Sequence, residues 1–243
     1  MFWRKFKLDW SYAIVELAIV TVGVLIALGI DEWNDERLER AEEIDVISRL
    51  IADIDADLQG FEFRLKAIDS KEDSLLRVRA AVFNGAPDDP RAFLRDIIVG
   101  ADFGWNQGLA QRATFDDLLG SGRLQVIGDP DIRTRIADYY SHYEDSHNRI
   151  EERETAYPGL SYQLVPRGSS WNGEGVVWER DVEAGLPEEY LTDLVKSVHE
   201  SSIGNHVTAE INLARFIRGI TKDNHGRATS LVNRLEEYKA EIE

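Results

Sequence analysis

The stretch WSYAIVELAIVTVGVLIALGIDEW, residues 10–33, determines how the rest of the chain is arranged. Between residues 11 and 30 the single charged residue is Glu16. About twenty apolar residues are what an α-helix needs to cross the roughly 30 Å hydrocarbon core of a bilayer. Trp10 and Trp33 stand at the two ends, where amphipathic rings prefer the headgroup regions. We therefore predict a transmembrane helix over residues 10–33.

The charges flanking this helix predict its orientation. Residues 1–9, MFWRKFKLD, carry three basic side chains and one acidic one, whereas residues 31–43 are strongly acidic. Because positive charge is retained on the cytoplasmic side, residues 1–9 are expected in the cytoplasm and residues 34–243 outside it, as a periplasmic domain of the bacterial inner membrane. A cleaved signal peptide is the alternative, with Ala27-Leu28-Gly29 as its processing site. The length of the run and Glu16 favour the anchor.

Composition limits the classes of partner. The 243 residues, 43% of them hydrophobic, suffice for one sizeable or two small domains. The formal charge is −17, and residues 31–243 hold 25 of the 28 basic and 43 of the 45 acidic residues. A surface this acidic repels nucleic acid, so nucleic-acid binding is not expected. The absence of cysteine excludes disulfides and thiolate chemistry in this chain.

After the span, apolar residues recur in alternating steps of three and four. The positions are Ile44, Ile47, Ile51, Ile54, Leu58, Phe61, Leu65, Ile68, Leu75 and Val82. This heptad pattern predicts a long amphipathic helix that packs against other helices along its length. Whether Gly60 or the Asp31–Asn34 region interrupts it stays open, and an uninterrupted helix would be about 110 Å long.

The remainder also favours helices. Asp89-Pro90 and Asp129-Pro130 each look like an N-cap followed by proline at the first helical position. They open predicted helices over 91–99 and 130–157, with a further short helix over 111–119. A long loop is expected at about 158–187, with a short hairpin around residues 173–175. The last helical segment is expected to lie antiparallel to the heptad helix.

We thus predict a mainly α fold: a single N-terminal transmembrane helix that continues into a long amphipathic helix, with an exoplasmic antiparallel helical bundle. One face of the span suits another transmembrane helix. Helical steps place Glu16, Val20, Gly23 and Ala27 together, and Gly23-x-x-x-Ala27 lets a second helix approach closely. These four residues, with Trp10 and Trp33, are the predicted partner-binding residues. Alternatively, Glu16 snorkels to the cytoplasmic surface without a partner.

Motifs for chemistry are weak. Glu144-x-x-His147 has the spacing of carboxylate-bridged di-iron bundles, and His199, His206 and Glu210 fall near one helical face. Such a site needs a second Glu-x-x-His motif, which this chain lacks. There is no Gly-x-Ser-x-Gly elbow, no His-Glu-x-x-His and no phosphate-binding loop. We therefore expect no enzymatic activity, no catalytic residues, no metal site and no cofactor.

Two segments resemble an uncharacterised family of bacterial single-span envelope proteins. The first is ELAIVTVGVLIALGIDEWN and the second is TFDDLLGSGRLQVIGDPDIRTRIADYY. The matching positions are Glu16, Gly23, Leu25, Ile26, Ala27, Leu28, Trp33, Asn34, Thr114, Phe115, Leu118, Ser121, Gly122, Leu124 and Tyr140. The match is good over the first forty residues, moderate over 112–140 and slight over the final hundred. The resemblance implies the anchored architecture and supplies no activity.

These observations predict a non-enzymatic accessory or scaffolding subunit of a larger inner-membrane complex, such as an energy-converting or transport assembly. It would contact lipid, other transmembrane helices and complex subunits through its span and its periplasmic bundle. The alternative is a periplasmic ligand-sensing bundle in which the loop between Trp171 and Trp178 covers a pocket. Since only residues 1–9 would remain in the cytoplasm, such a sensor would have to signal through a partner.

Overall fold

The computed structural model describes residues 10–85, 87–102, 110–165, 169–171, 176–178 and 188–243, with side chains described from Glu16 onward except in the two strands and at Tyr190. This part of the chain is mainly α-helical, as predicted, with seven α-helices and two short strands. No helix among the described residues is both long enough and apolar enough to cross a membrane. The transmembrane segment therefore stays a prediction.

Helix α1 spans Trp10–Asn84, 75 residues without interruption. Neither Gly60 nor the Asp31–Asn34 region breaks it, which settles the point that the sequence left open. It ends where Gly85 adopts a φ of +114°, a conformation that glycine tolerates and other residues avoid. At 1.5 Å per residue the helix is about 110 Å long, and every other helix packs on its C-terminal part or on one of its neighbours.

Three of the next elements begin or end where the sequence indicates. Helix α2, Pro90–Ala101, starts at the predicted cap, since the Asp89 carboxylate accepts hydrogen bonds from the amides of Arg91 and Ala92. Helix α3, Ala113–Gly120, ends in a turn where Gly122 has a φ of +66°. A 3₁₀ turn at Leu124–Val126 leads to helix α4, Pro130–Glu151, which begins at the predicted Asp129 cap.

The region after α4 differs from the prediction. Helix α4 ends at Glu151 rather than near residue 157, and helix α5 occupies Tyr157–Leu164, where a loop was expected. The hairpin is confirmed in its strands, because β1, Ser169–Trp171, pairs antiparallel with β2, Val176–Trp178. Its turn, residues 172–175, and the greater part of the predicted loop lie outside the described residues.

Helices α6, Glu188–Glu200, and α7, Ile203–Ile242, complete the fold. Helix α7 runs antiparallel to α1, as predicted: Tyr238 near its end contacts Glu43, and Glu210 near its start contacts Lys71. Gly204 allows a close approach to α1, since a Cβ there would lie 2.6 Å from the Val82 side chain. The α1–α7 pair is the axis on which the shorter helices pack.

Two main apolar clusters fill the bundle. The first joins α1 residues 46–61 with α3, α4 and the C-terminal half of α7. The second joins α1 residues 75–78 with α2, α5, α6 and the start of α7. Between them lies a small cluster around Ile68 and Ile217, bordered by buried charged side chains. These buried charged side chains form a polar layer between the two main apolar clusters.

Candidate functional site

The N-terminal part of α1 projects from the bundle, and no other element that the structure describes covers it. Every residue from 16 to 42 is exposed, and Glu43 is the first that is half-buried. Nine large apolar side chains in this part are 53% to 68% exposed: Leu17, Ile19, Val20, Val22, Val24, Leu25, Ile26, Leu28 and Ile30. Contiguous apolar surface of this kind marks a membrane or protein interaction site. This surface is the first candidate functional site.

The predicted partner-binding residues lie on this projecting segment. Glu16, Val20 and Ala27 are exposed on one helical face. Gly23 lies on the same face, and a Cβ added there would meet nothing within 4 Å. Trp33 is 63% exposed with the Arg37 guanidinium 5.9 Å from its ring centroid. The side chain of Trp10 lies outside the described residues. No described element of the chain covers this face, and its role in binding stays a prediction.

The next twelve residues of α1, 31–42, form an exposed charged segment between the apolar part and the bundle, which we call the stalk. It contains six acidic and two basic side chains. Its length is about 18 Å at 1.5 Å per residue. A helix that is polar on most sides is typical of a solvent-exposed connection between two parts of a protein. The stalk therefore holds the bundle away from the apolar segment.

The second candidate site is a row of buried charges inside the bundle. Asp57, Arg64 and Lys71 are each at most 7% exposed and are spaced seven residues apart on α1. They occupy the same helical positions as Leu50 and Val78, which are fully buried. The predicted apolar positions Ile51, Leu58 and Leu65 are only half-buried. The predicted apolar positions Ile47, Ile54, Phe61, Ile68 and Leu75 are thus fully buried, whereas Ile51 and Leu58 are half-buried and pack against the first apolar cluster.

The first of these buried charges fixes the start of α3. The Asp57 carboxylate accepts hydrogen bonds from the Gln111 amide at 2.9 Å and from the Tyr139 hydroxyl at 2.8 Å. One turn earlier, Asp53 accepts from the Thr114 amide at 3.0 Å. Because α3 has no cap from its own side chains, Asp53 supplies one from another helix. Burial raises the pKa of Asp57 above its ordinary value, against the lowering effect of both hydrogen bonds.

Lys71 forms the most buried ion pair described. Its ammonium contacts the carboxylate of Glu210, with side-chain exposures of 4% and 0%. The ammonium also donates to the Asp102 carbonyl at 3.2 Å, and Glu210 accepts a hydrogen bond from the Thr155 hydroxyl. Burial lowers the pKa of Lys71, while Glu210 acts in the opposite direction. The pair joins α1, α7 and the segment before α5.

A second charged group lies next to this pair on the outer side. Glu72 accepts from the Arg215 guanidinium at 2.6 Å and pairs with Arg218, which also contacts Asp69 at 2.7 Å. Burial alone would raise the pKa of Glu72, but the hydrogen bonds from the two arginines outweigh it and lower the pKa. These buried and half-buried groups pair with one another by charge across α1 and α7, so their arrangement supports a structural role.

The histidines and carboxylates of the weak metal pattern do not converge. His147 lies 4.0 Å from Glu151, and Glu144 pairs instead with Arg112 at 3.1 Å. His199 stacks on Phe93, with ring centroids 5.8 Å apart. Glu210 is engaged by Lys71, as described above. Among the described residues, no group of three or more His, Asp or Glu side chains is placed to hold a metal ion.

The central motif around residues 114–140 builds the packing corner between α3 and α4. The Phe115 and Tyr140 rings stack with centroids 4.5 Å apart, and Leu118 is 1% exposed. The Tyr140 hydroxyl donates to the Gln111 carbonyl at 3.1 Å, and Gly122 closes α3 in its positive-φ conformation. These residues account for the motif by packing and backbone geometry.

One open cleft lies between α4 and α7, with a volume of about 200 Å³. Arg135 and Arg227 line it together with Asp138 and Tyr139. Each arginine is already paired within its own helix, Arg135 with Asp131 at 2.7 Å and Arg227 with Asp223 at 3.0 Å. The cleft therefore presents little unmatched charge to a ligand.

Comparison with known proteins gives no match: no family model, no curated protein and no solved structure is similar to the chain at a significant level. The resemblance to single-span envelope proteins therefore stays a prediction.

Proposed function

We propose that this protein is a membrane-anchored, non-enzymatic accessory or scaffolding subunit of a larger bacterial inner-membrane complex, of the energy-converting or transport kind. The observation that carries the proposal is the exposed apolar surface of α1 between Leu17 and Ile30. Leaving nine large apolar side chains in water is unfavourable by roughly 25 cal/mol per Å² of apolar area. A lipid bilayer and the helices of other subunits are the surroundings that match this surface.

The proposed span covers residues 10–33 with the N-terminus in the cytoplasm. The structure describes the side chains of this span only from Glu16 onward, so the apolar run of residues 11–30 is known from the sequence. The basic residues 4–7 on one side and the acidic stalk on the other support the orientation. The stalk and the bundle, residues 34–243, are then periplasmic.

The buried charge pairs support a scaffold more than an enzyme. Lys71 pairs with Glu210 and Glu72 pairs with Arg215, so that each pair joins α1 to α7. Buried polar groups of this kind fix the register of packed helices, a role best attested in coiled coils. A rigid bundle held at a set distance from the membrane suits a subunit that positions other proteins.

A periplasmic sensor is the second candidate, and the cleft between α4 and α7 is the observation in its favour. The proposed lid between Trp171 and Trp178 has no described side chains. Because the arginines of the cleft are already paired, a ligand would have to displace Asp131 or Asp223. The subunit proposal has the stronger support.

Purification of the tagged protein from its native membrane in mild detergent tests the proposal. A stable complex of fixed stoichiometry with other membrane proteins is expected. The variants Glu16→Leu and Gly23→Ile should reduce its yield, because they alter the proposed contact face. Ala18→Ile, which enlarges a small exposed residue on the opposite face, is the matched control. Undiminished assembly of both variants would contradict the contact face, and a monodisperse protein whose melting temperature rises with small molecules would favour the sensor.

A further inference from the structure

The exposed face proposed to contact another helix continues beyond the membrane segment. Helical steps of three and four from Ala27 lead through Ile30 to Asn34, Leu38 and Ala41. None of these residues is charged, and all are exposed, with Ile30 at 59% and Leu38 at 56%. We call the residues Val20, Gly23, Ala27, Ile30, Asn34, Leu38 and Ala41 the seam. It is about 32 Å long at 1.5 Å per residue.

The charges of the stalk are sorted around the seam. Glu32, Glu36 and Glu39 lie on the opposite side of the helix. Arg37 and Arg40 lie along one flank of the seam, and Asp31 and Asp35 lie along the other. Among the described residues, the structure gives none of these four flanking side chains an ion-pair partner. The stalk therefore has a neutral face between a basic edge and an acidic edge.

This arrangement fits a second copy of the same chain. When two parallel helices are related by a two-fold axis along their length, one flank of each helix meets the opposite flank of the other. The basic edge of one stalk would thus face the acidic edge of its partner on both sides of the contact. We propose that two copies of this chain pair in parallel along the seam, so that the helix that meets the contact face belongs to a second copy and other subunits bind the paired chains elsewhere. The acidic surplus of each stalk then points away from the contact.

The bundle leaves room for this pairing. The core-facing residues of α1 that follow the stalk, Ile47, Leu50 and Ile54, lie on the side opposite the seam. The seam side continues into exposed positions such as Ala52 and Ala56. The bundle of one copy therefore does not cover the seam to which the other copy would bind.

The pairing rests on the proposed function for the membrane part of the seam, whereas its stalk part is exposed to water whether or not the span crosses a membrane. The chain has no cysteine, so a single introduced cysteine reports on one position at a time. Full-length variants Asn34→Cys, Leu38→Cys and Ala41→Cys should form disulfide-linked dimers on mild oxidation of membranes. Glu36→Cys and Glu39→Cys, on the far side, are the matched controls and should stay monomeric.

Charge reversal then tests the flanks. In the Leu38→Cys background, Arg37→Glu with Arg40→Glu should reduce the dimer yield, because both edges become acidic. Adding Asp31→Lys and Asp35→Lys should restore it, because the two edges are again opposite in charge. Glu36→Lys changes charge on the far side and should leave the yield unchanged.

Equal crosslinking at seam and control positions, or no crosslinked dimer at any position, would overturn the pairing, as would a failure of the charge reversal to be rescued. Crosslinking of the seam cysteines to a different protein would overturn it in favour of a heterologous partner. Extraction of the membranes with alkaline carbonate answers the separate question of anchoring. Release of the protein by carbonate with seam crosslinking intact would reject the span and retain the stalk pairing.

Discussion

Replacing Lys71 with methionine removes the cation that faces Glu210 inside the bundle. The two side chains are 4% and 0% exposed, so the substitution leaves a carboxylate buried without its counter-charge. Breaking a buried pair in this way costs about 3–5 kcal/mol, a large part of the roughly 5–15 kcal/mol by which domains are stable. Glu210→Met should cost a similar amount, since it leaves Lys71 buried without an anion. The double variant with methionine at both positions should lose much less than the sum.

Chemical and thermal unfolding of the full chain in mild detergent, followed by circular dichroism, measures these differences. Arg215→Met is the matched control, because Arg215 is 52% exposed and Glu72 keeps its contact with Arg218. Its cost should stay within about 1 kcal/mol, as for other exposed ion pairs. Losses for Lys71→Met as small as those of the control would refute the reasoning. Additive losses in the double variant would also refute it, because they would mean that the two residues are not coupled.

Two further pairs of variants test the packing and the buried carboxylates. Gly100→Ala should destabilise the bundle by about 1–3 kcal/mol, because its Cβ would lie 2.6 Å from the buried Leu75 side chain. Gly219→Ala, with open space at the Cβ, should instead stabilise it by up to about 1 kcal/mol, and thermal melts that reverse this order would contradict the packing. Because burial raises the pKa of Asp57, its contribution to stability is present at acid pH and is lost as pH rises through the folded-state pKa. Glu72 has a lowered pKa, so its contribution is present above the ordinary value of 4.5 and is lost as pH falls through the folded-state pKa. The unfolding free energies of Asp57→Asn and Glu72→Gln are therefore measured from pH 3 to pH 7 and compared with those of the unmodified protein. The differences for the two variants should change with pH in opposite directions, and changes of the same sign would contradict the assigned pKa shifts.

Local signals in the sequence were sufficient to predict most of the helices and several of their ends. Asp89-Pro90 and Asp129-Pro130 cap α2 and α4 as expected, because a side-chain acceptor followed by proline acts within one turn. The antiparallel placement of α7 on α1 also followed from matching apolar repeats. The continuity of α1 through Gly60 could not be predicted from the sequence. A single glycine destabilises a helix by only about 1 kcal/mol, so packing decides whether the helix persists.

The buried charges show where pattern analysis fails. The heptad pattern of apolar residues predicts that Ile51, Leu58 and Leu65 of α1 are buried. The bundle leaves these three half-buried and buries Asp57, Arg64 and Lys71 instead. Their partners, such as Glu210, come from distant parts of the chain, so no local pattern reveals that burial is compensated. The seven-residue spacing with Leu50 and Val78 is the signal that could have identified them. Helix α5 was missed for a related reason, because its burial depends on contacts with α2 and α7.

The placement of the apolar part of α1 in a membrane is the central claim, and single-cysteine topology mapping tests it most directly in a chain without cysteine. Variants with a cysteine at Lys5, Val22, Asn34 or the exposed Ser70 are treated with a membrane-impermeant maleimide before and after lysis of cells with a permeable outer membrane. We predict labelling at residues 34 and 70 in intact cells, labelling at residue 5 only after lysis, and protection of residue 22 until detergent is added. Labelling of residue 22 without detergent, or equal labelling of residues 5 and 34 in intact cells, would contradict it.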